Sequence, residues 1–111
     1  MVTIAVQDKF VEVLTAFGNL QESVDVALQR YTIEQVSTKI SELRRRNSEY
    51  QTRYGLDFPA FSQHIAEDEK FVQNVESKIN KMWEADLADW EFCYKGIADW
   101  TRKLQDILSV Q

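Results

Sequence analysis

The side chains best suited to chemistry lie in the acidic run Trp83-Glu84-Ala85-Asp86-Leu87-Ala88-Asp89-Trp90-Glu91. Asp86 and Asp89 stand three residues apart, which puts both carboxylates on one side of a helix. Such a pair can hold Mg²⁺ beside a phosphate substrate. Nucleotide hydrolysis of that kind needs a matching acidic pair on a second helix, and the sequence has none. Acids on the solvated flank of an amphipathic helix are the simpler reading. His64 is the single histidine; with Glu67 it forms an i, i+3 pair, and Asp68 is adjacent. No Cys or second His completes a ligand set, so a surface histidine beside the acids of a helix start is expected, with no metal and no cofactor. No nucleophile–base pair stands out either. The chain reads as a binding protein rather than an enzyme, with a Mg²⁺-dependent nucleotide hydrolase built on Asp86 and Asp89 ranked third.

Arg44-Arg45-Arg46, with Lys39 and Arg53, forms the one basic patch. Three consecutive helical residues point about 100° apart and cannot line up along a phosphate backbone. Arg44 and Arg46 flank an apolar seam, from which they can reach acids of a C-terminal helix. Residues 57–111 hold 6 basic and 11 acidic side chains, against 5 and 3 in residues 31–56 and 2 and 4 in residues 1–30. Nucleic-acid binding is disfavoured by this balance, because neutralising phosphates takes a surplus of Lys and Arg. A basic protein partner suits it better.

The acids belong to one long periodic stretch. From Phe71 to Leu108, apolar residues fall at Val72, Val75, Ile79, Trp83, Leu87, Trp90, Tyr94, Ile97, Leu104 and Leu108, with Thr101 filling the gap. Steps of three and four predict one helix over 68–109, and the stretch from Phe71 would run roughly 55 Å. Trp83, Trp90 and Tyr94 fall on its main seam. Ala85, Ala88, Phe92, Gly96 and Trp100 make a second apolar line behind it, so the helix needs partners on two sides. Phe92 and Trp100 are accordingly expected in an interface, the alternative being partial burial under the N-terminal helix. Cys93 lies beside the seam as a small, semi-buried filler.

Upstream, Phe10, Val13, Phe17, Leu20, Val24, Ala27 and Tyr31 alternate by three and four, predicting an amphipathic helix over about 4–30. Gly18-Asn19 weakens its middle and permits a bend. Residues 1–6, with Val2, Ile4 and Val6 alternating, could instead form an extended arm. Thr32-Ile33-Glu34-Gln35 has the form of a capping box, which would start a helix over 33–54. A line through Val24, Leu28, Thr32, Val36 and Ile40 equally allows one continuous helix. Ile40, Leu43, Asn47 and Tyr50 form a seam suited to self-association. There Asn47 either fixes register as a polar core residue or marks the seam leaving the core. Gly55 reads as the left-handed residue ending that helix, and Asp57 as the cap of a short helix over 58–66, with Pro59 in its first turn.

At 111 residues, 44% hydrophobic and 28% charged, with three Gly and one Pro, the chain has room for one helical domain. A single Cys cannot form an internal disulfide. No basic, apolar leader and no run of about 18 apolar residues is present. A cytoplasmic location without membrane contact is expected.

The segment Leu43–Phe61, a helix ending in Tyr54-Gly55 followed by Leu56, the cap Asp57 and Phe58-Pro59-Ala60-Phe61, resembles a known pattern. With the later Trp83-Glu84 and Asp89-Trp90-Glu91, it is similar to small helical antitoxin-type proteins encoded beside toxins of the TumE-like RNase family in bacteria and archaea. The resemblance covers about residues 33–91. It implies binding and silencing of a cognate RNA-cleaving toxin. Trp83, Trp90 and Trp100 would be the anchors, beside Phe92, with Asp86, Asp89 and Glu91 meeting a basic surface. Small secreted helical-hairpin proteins are of comparable length, but their Trp-x-Gly turn is absent. The expected architecture is all-α: an antiparallel helical hairpin with a long C-terminal helix, dimerising into a bundle. A self-associating coiled-coil adaptor is the alternative function.

Overall fold

Residues 1–109 are described by the computed structural model, and among them the chain forms helices only: α1 (Asp8–Ala16), α2 (Leu20–Tyr54), α3 (Phe58–Glu67), α4 (Glu69–Lys78) and α5 (Trp83–Leu108). None of these helices is long and apolar enough to cross a membrane. The chain divides into two compact units, residues 1–35 and residues 36 onward.

Local chemistry explains where the helices stop; it corrects two boundaries expected from periodicity and decides one that the sequence leaves open. The helix expected over 4–30 begins only at Asp8, after a lead-in that is not helical, and breaks at Phe17–Asn19. Gly18 takes φ +139°, which a side chain would resist, and Asn19 accepts the Glu22 N–H at 3.1 Å to start α2. No new helix starts at Thr32. Its hydroxyl donates back to the Leu28 carbonyl at 2.8 Å, the habit of a threonine inside a helix, and α2 runs through unbroken.

The second correction concerns the helix expected over 68–109. It is two helices, with Ile79–Met82 between them. Asn80 is responsible for the interruption. Its backbone N–H reaches the Val75 carbonyl at 2.9 Å, while its side chain accepts the Met82 N–H at 2.9 Å and donates to Asp86 at 3.1 Å. An asparagine that satisfies nearby backbone groups competes with the helical ladder and lets the chain turn.

Other boundaries follow the sequence reading. Gly55 ends α2 with φ +75°. Asp57 accepts the Ala60 N–H at 2.9 Å and caps α3, with Pro59 in the first turn. Asp68 closes α3 and also caps α4, accepting from the Lys70 and Phe71 N–H groups.

The second unit is held by an aromatic core. Tyr54, Phe61, Val75, Trp83 and Trp90 form its buried cluster, with Tyr50, Phe58, Ile65, Phe71, Val72 and Leu87 packed around it. Phe61 and Trp90 have 0% exposure and their ring centroids lie 5.2 Å apart. Tyr54 stacks on Trp90 at 5.8 Å, and Phe58 meets the same indole edge-on at 5.6 Å. Burying an indole of this size stabilises by roughly 4–6 kcal/mol as an upper bound.

Candidate protein-interaction surfaces

The acids read as chemistry-bearing are tied down within the chain. Arg46 and Tyr50 of α2 both donate to Asp89 of α5, the tyrosine hydroxyl at 2.6 Å. Three residues along, Asp86 accepts from Arg53 at 2.7 Å, Tyr54 at 2.6 Å and Asn80 at 3.1 Å. Each tyrosine gives its ring to the core and its hydroxyl to an aspartate, so the acids serve as polar latches along α5.

Electrostatics follow from this arrangement. Burial pushes the Tyr54 phenol up, and donation to Asp86 adds to it, to about 12. Tyr50 moves up for the same two reasons, with Asp89 as its acceptor. At Asp86, burial works against the charge, but the bonds from Tyr54, Arg53 and Asn80 outweigh it and hold the carboxyl below its ordinary value. Donation to Asp86 in turn raises Arg53, against the lowering effect of its own burial. Three donors converge on Asp86 Oδ2 and one reaches each oxygen of Asp89, so neither carboxylate is the unengaged ligand that a Mg²⁺–phosphate site would start from. Among the described residues no three His, Cys, Asp or Glu side chains group as metal ligands. His64 lies exposed against the Phe71 ring at 5.2 Å.

The tryptophans divide. Trp90 is fully enclosed, and its indole N–H donates at 2.7 Å to Asn47, which is half-buried, so Asn47 is a polar seam residue with a partner inside the same chain. Trp83 is 9% exposed and donates to Glu76 at 3.0 Å. As anchors for another protein, neither has surface left to offer. The same holds for two residues of the proposed self-association seam: Leu43 has 0% exposure and Ile40 6% within a single chain. Tyr50, also on that seam, stacks on Trp90 at 5.7 Å. Cys93, expected to be semi-buried, is fully enclosed, and burial pushes its thiol up.

The second apolar line of α5 is partly used as well. Leu43 approaches Gly96 so closely that a Cβ there would lie 2.9 Å from Leu43 Cδ1. Phe92, by contrast, is 58% exposed, and Trp100 is half-buried with the Lys103 ammonium 4.2 Å from its ring centroid. Both line an open cleft of about 420 Å³ that also includes Glu91. Of the residues expected to meet a partner, Phe92, Trp100 and Glu91 therefore share an accessible site; Glu91 pairs only with Lys95, at 2.5 Å along the same helix.

The larger free surface lies in the first unit. Among the described residues, nine of the fourteen exposed large hydrophobic side chains (Met1, Val2, Ile4, Phe10, Val13, Phe17, Val26, Leu28 and Tyr31) belong to it, and none of its residues is buried. Periodicity marks Phe10, Val13 and Phe17 as a seam, and this chain leaves that seam uncovered.

The chain matches no protein-family model, no curated protein and no solved structure, so the likeness to antitoxin-type proteins rests on its motifs alone.

Proposed function

We propose that this chain is a protein-binding helical module of the cytoplasm, acting as an antitoxin-type partner that holds and silences a small RNA-cleaving toxin. The observation that carries the binding role is the apolar surface of residues 1–35. A unit that keeps Phe10, Val13 and Phe17 52%, 57% and 82% exposed gains little from folding alone and is completed by another protein. The toxin-facing site in this reading is the α5 cleft: Phe92 and Trp100 supply aromatic contact area, and Glu91 and Asp99, standing with Lys95 and Lys103, supply polar contacts around it.

In the scaffold, α2 and α5 act as the arms of an antiparallel hairpin. Support comes from the pairs Leu43–Gly96, Asn47–Trp90, Tyr50–Asp89 and Tyr54–Asp86, whose α5 members fall as the α2 members rise. The test is co-expression with a small basic RNase encoded beside this chain. Growth restored by the wild type and lost with Phe92→Ala plus Trp100→Ala supports the assignment. An RNase equally toxic with and without the chain, together with a native preparation that carries no companion, refutes it.

A further inference from the structure

Of the three consecutive arginines on α2, Arg44 alone has no acidic partner among the described residues. Arg45 pairs with Glu49 at 2.6 Å and Glu42 at 3.8 Å, and Arg46 donates to Asp89. Arg44 instead lines an open groove of about 560 Å³ formed by α2 and α5, a size usual for small-molecule sites. The groove lies wholly within the second unit.

Asn47, one turn further along α2, lines the same groove and supplies a second donor. The indole N–H of Trp90 can only donate, so the Asn47 atom it meets at 2.7 Å is the amide oxygen. That leaves the NH₂ group as the free end of the side chain, with no acceptor among the described residues. No buried side-chain polar atom there lacks a partner, so this NH₂ is reachable from solvent.

On the other side, α5 contributes Tyr94, Lys95 and Asp99, with apolar contact area from Ile97 and Ala98. Lys95 pairs with Glu91 at 2.5 Å and Asp99 with Arg102 at 3.4 Å, which leaves Arg44 as the unanswered charge. Two cations and one carboxylate line the groove, a surplus of one positive charge in a chain of net charge −5. A monoanion balances that surplus, and a phosphate dianion exceeds it. The planar guanidinium fork also matches the two oxygens of a carboxylate.

The geometry points to a binding site for a small monocarboxylic acid with an apolar body. Arg44 clamps the carboxylate, the Asn47 NH₂ donates to one of its oxygens, and Tyr94, Ile97 and Ala98 carry the hydrocarbon part. The site adjoins the Phe92–Trp100 cleft across Lys95 and Asp99, which line both, and it does not rest on the toxin-binding reading.

Phenylacetate titrated into the full-length, isotope-labelled chain tests it, with the indole N–H resonances as reporters. The Trp90 signal, one hydrogen bond from Asn47, is expected to shift saturably with a Kd below about 10 mM while the Trp83 signal stays in place. Arg44→Gln raises that Kd by at least about 10-fold, and Arg45→Gln leaves it unchanged. Arg44 is exposed and bonded to no other side chain, so the variant keeps the fold, which the unliganded Trp90 resonance checks. Phenylacetamide, of the same shape without the charge, and inorganic phosphate each act at least about 10-fold more weakly. No saturable Trp90 shift below about 10 mM overturns the inference, as does a Kd indifferent to Arg44→Gln or phosphate binding as tightly as phenylacetate. If growth rescue through Phe92 and Trp100 holds while phenylacetate fails, the functional proposal stands and this site does not.

Discussion

The indole N–H of Trp90 donates to the Asn47 side-chain oxygen at 2.7 Å, joining a fully enclosed residue of α5 to a polar position in the apolar seam of α2. This bond determines which seam positions face each other, because a slip would strand a buried donor. Asn47→Leu leaves the indole N–H unpaired and is expected to cost about 1–3 kcal/mol in a urea melt followed by tryptophan fluorescence. A loss below about 0.5 kcal/mol would show that the bond does not hold the two helices.

Removing a latch is expected to be costly. Asp86→Ala strips acceptors from Tyr54, Arg53 and Asn80 together. The buried tyrosine hydroxyl then has no partner, and stability falls by about 2–3 kcal/mol. Asp86→Asn keeps an acceptor and loses less. Thermal unfolding of the two variants beside wild type gives the order.

Acid weakens the fold through the same carboxylate. Asp86 binds a proton less readily folded than unfolded, so its stabilisation is present above about pH 4 and is lost as pH falls through its depressed folded value. In Asp86→Asn this part of the acid loss disappears from the curve of stability against pH.

Alkali acts in the opposite direction through Tyr54. Its phenol loses a proton near pH 10 when unfolded but only at about 12 when folded. Stability is full below about pH 10 and declines as pH rises through the folded value, by roughly 2–3 kcal/mol in all. Tyr54→Phe flattens that decline, and the difference between the two curves isolates the tyrosine.

Helix spacing at Gly96 is set by the absence of a side chain. Gly96→Val drives a branched side chain into fully buried Leu43 and is expected to destabilise by about 2–3 kcal/mol. Gly96→Ala changes little, because a helix-propensity gain of about 1 kcal/mol offsets the displacement of one Leu43 methyl. Chemical denaturation separates these outcomes.

Local sequence signals were sufficient to identify an all-helical chain, the cap at Asp57, the end of α2 at Gly55 and the aromatic seam through Trp83 and Trp90. All of these depend on neighbours within about one helical turn, and local spacing encodes them. The continuous helix over 68–109 was misjudged because the apolar steps carry on through Ile79 and Trp83. Asn80 interrupts them with side-chain bonds that leave no mark on hydrophobic period.

Only the tertiary structure decided what each face does. Asp86 and Asp89 had the types and spacing of a metal pair, yet hydroxyl and guanidinium donors from more than 30 positions away occupy them. Trp83 and Trp90, anchors by the family resemblance but inward-facing by their place on the seam, are core, while Phe10, Val13 and Phe17, with the same apolar spacing, remained uncovered. A helical repeat specifies that residues share a side of a helix. Whether that side meets the chain's own packing or solvent depends on long-range contacts, which spacing along the chain does not record.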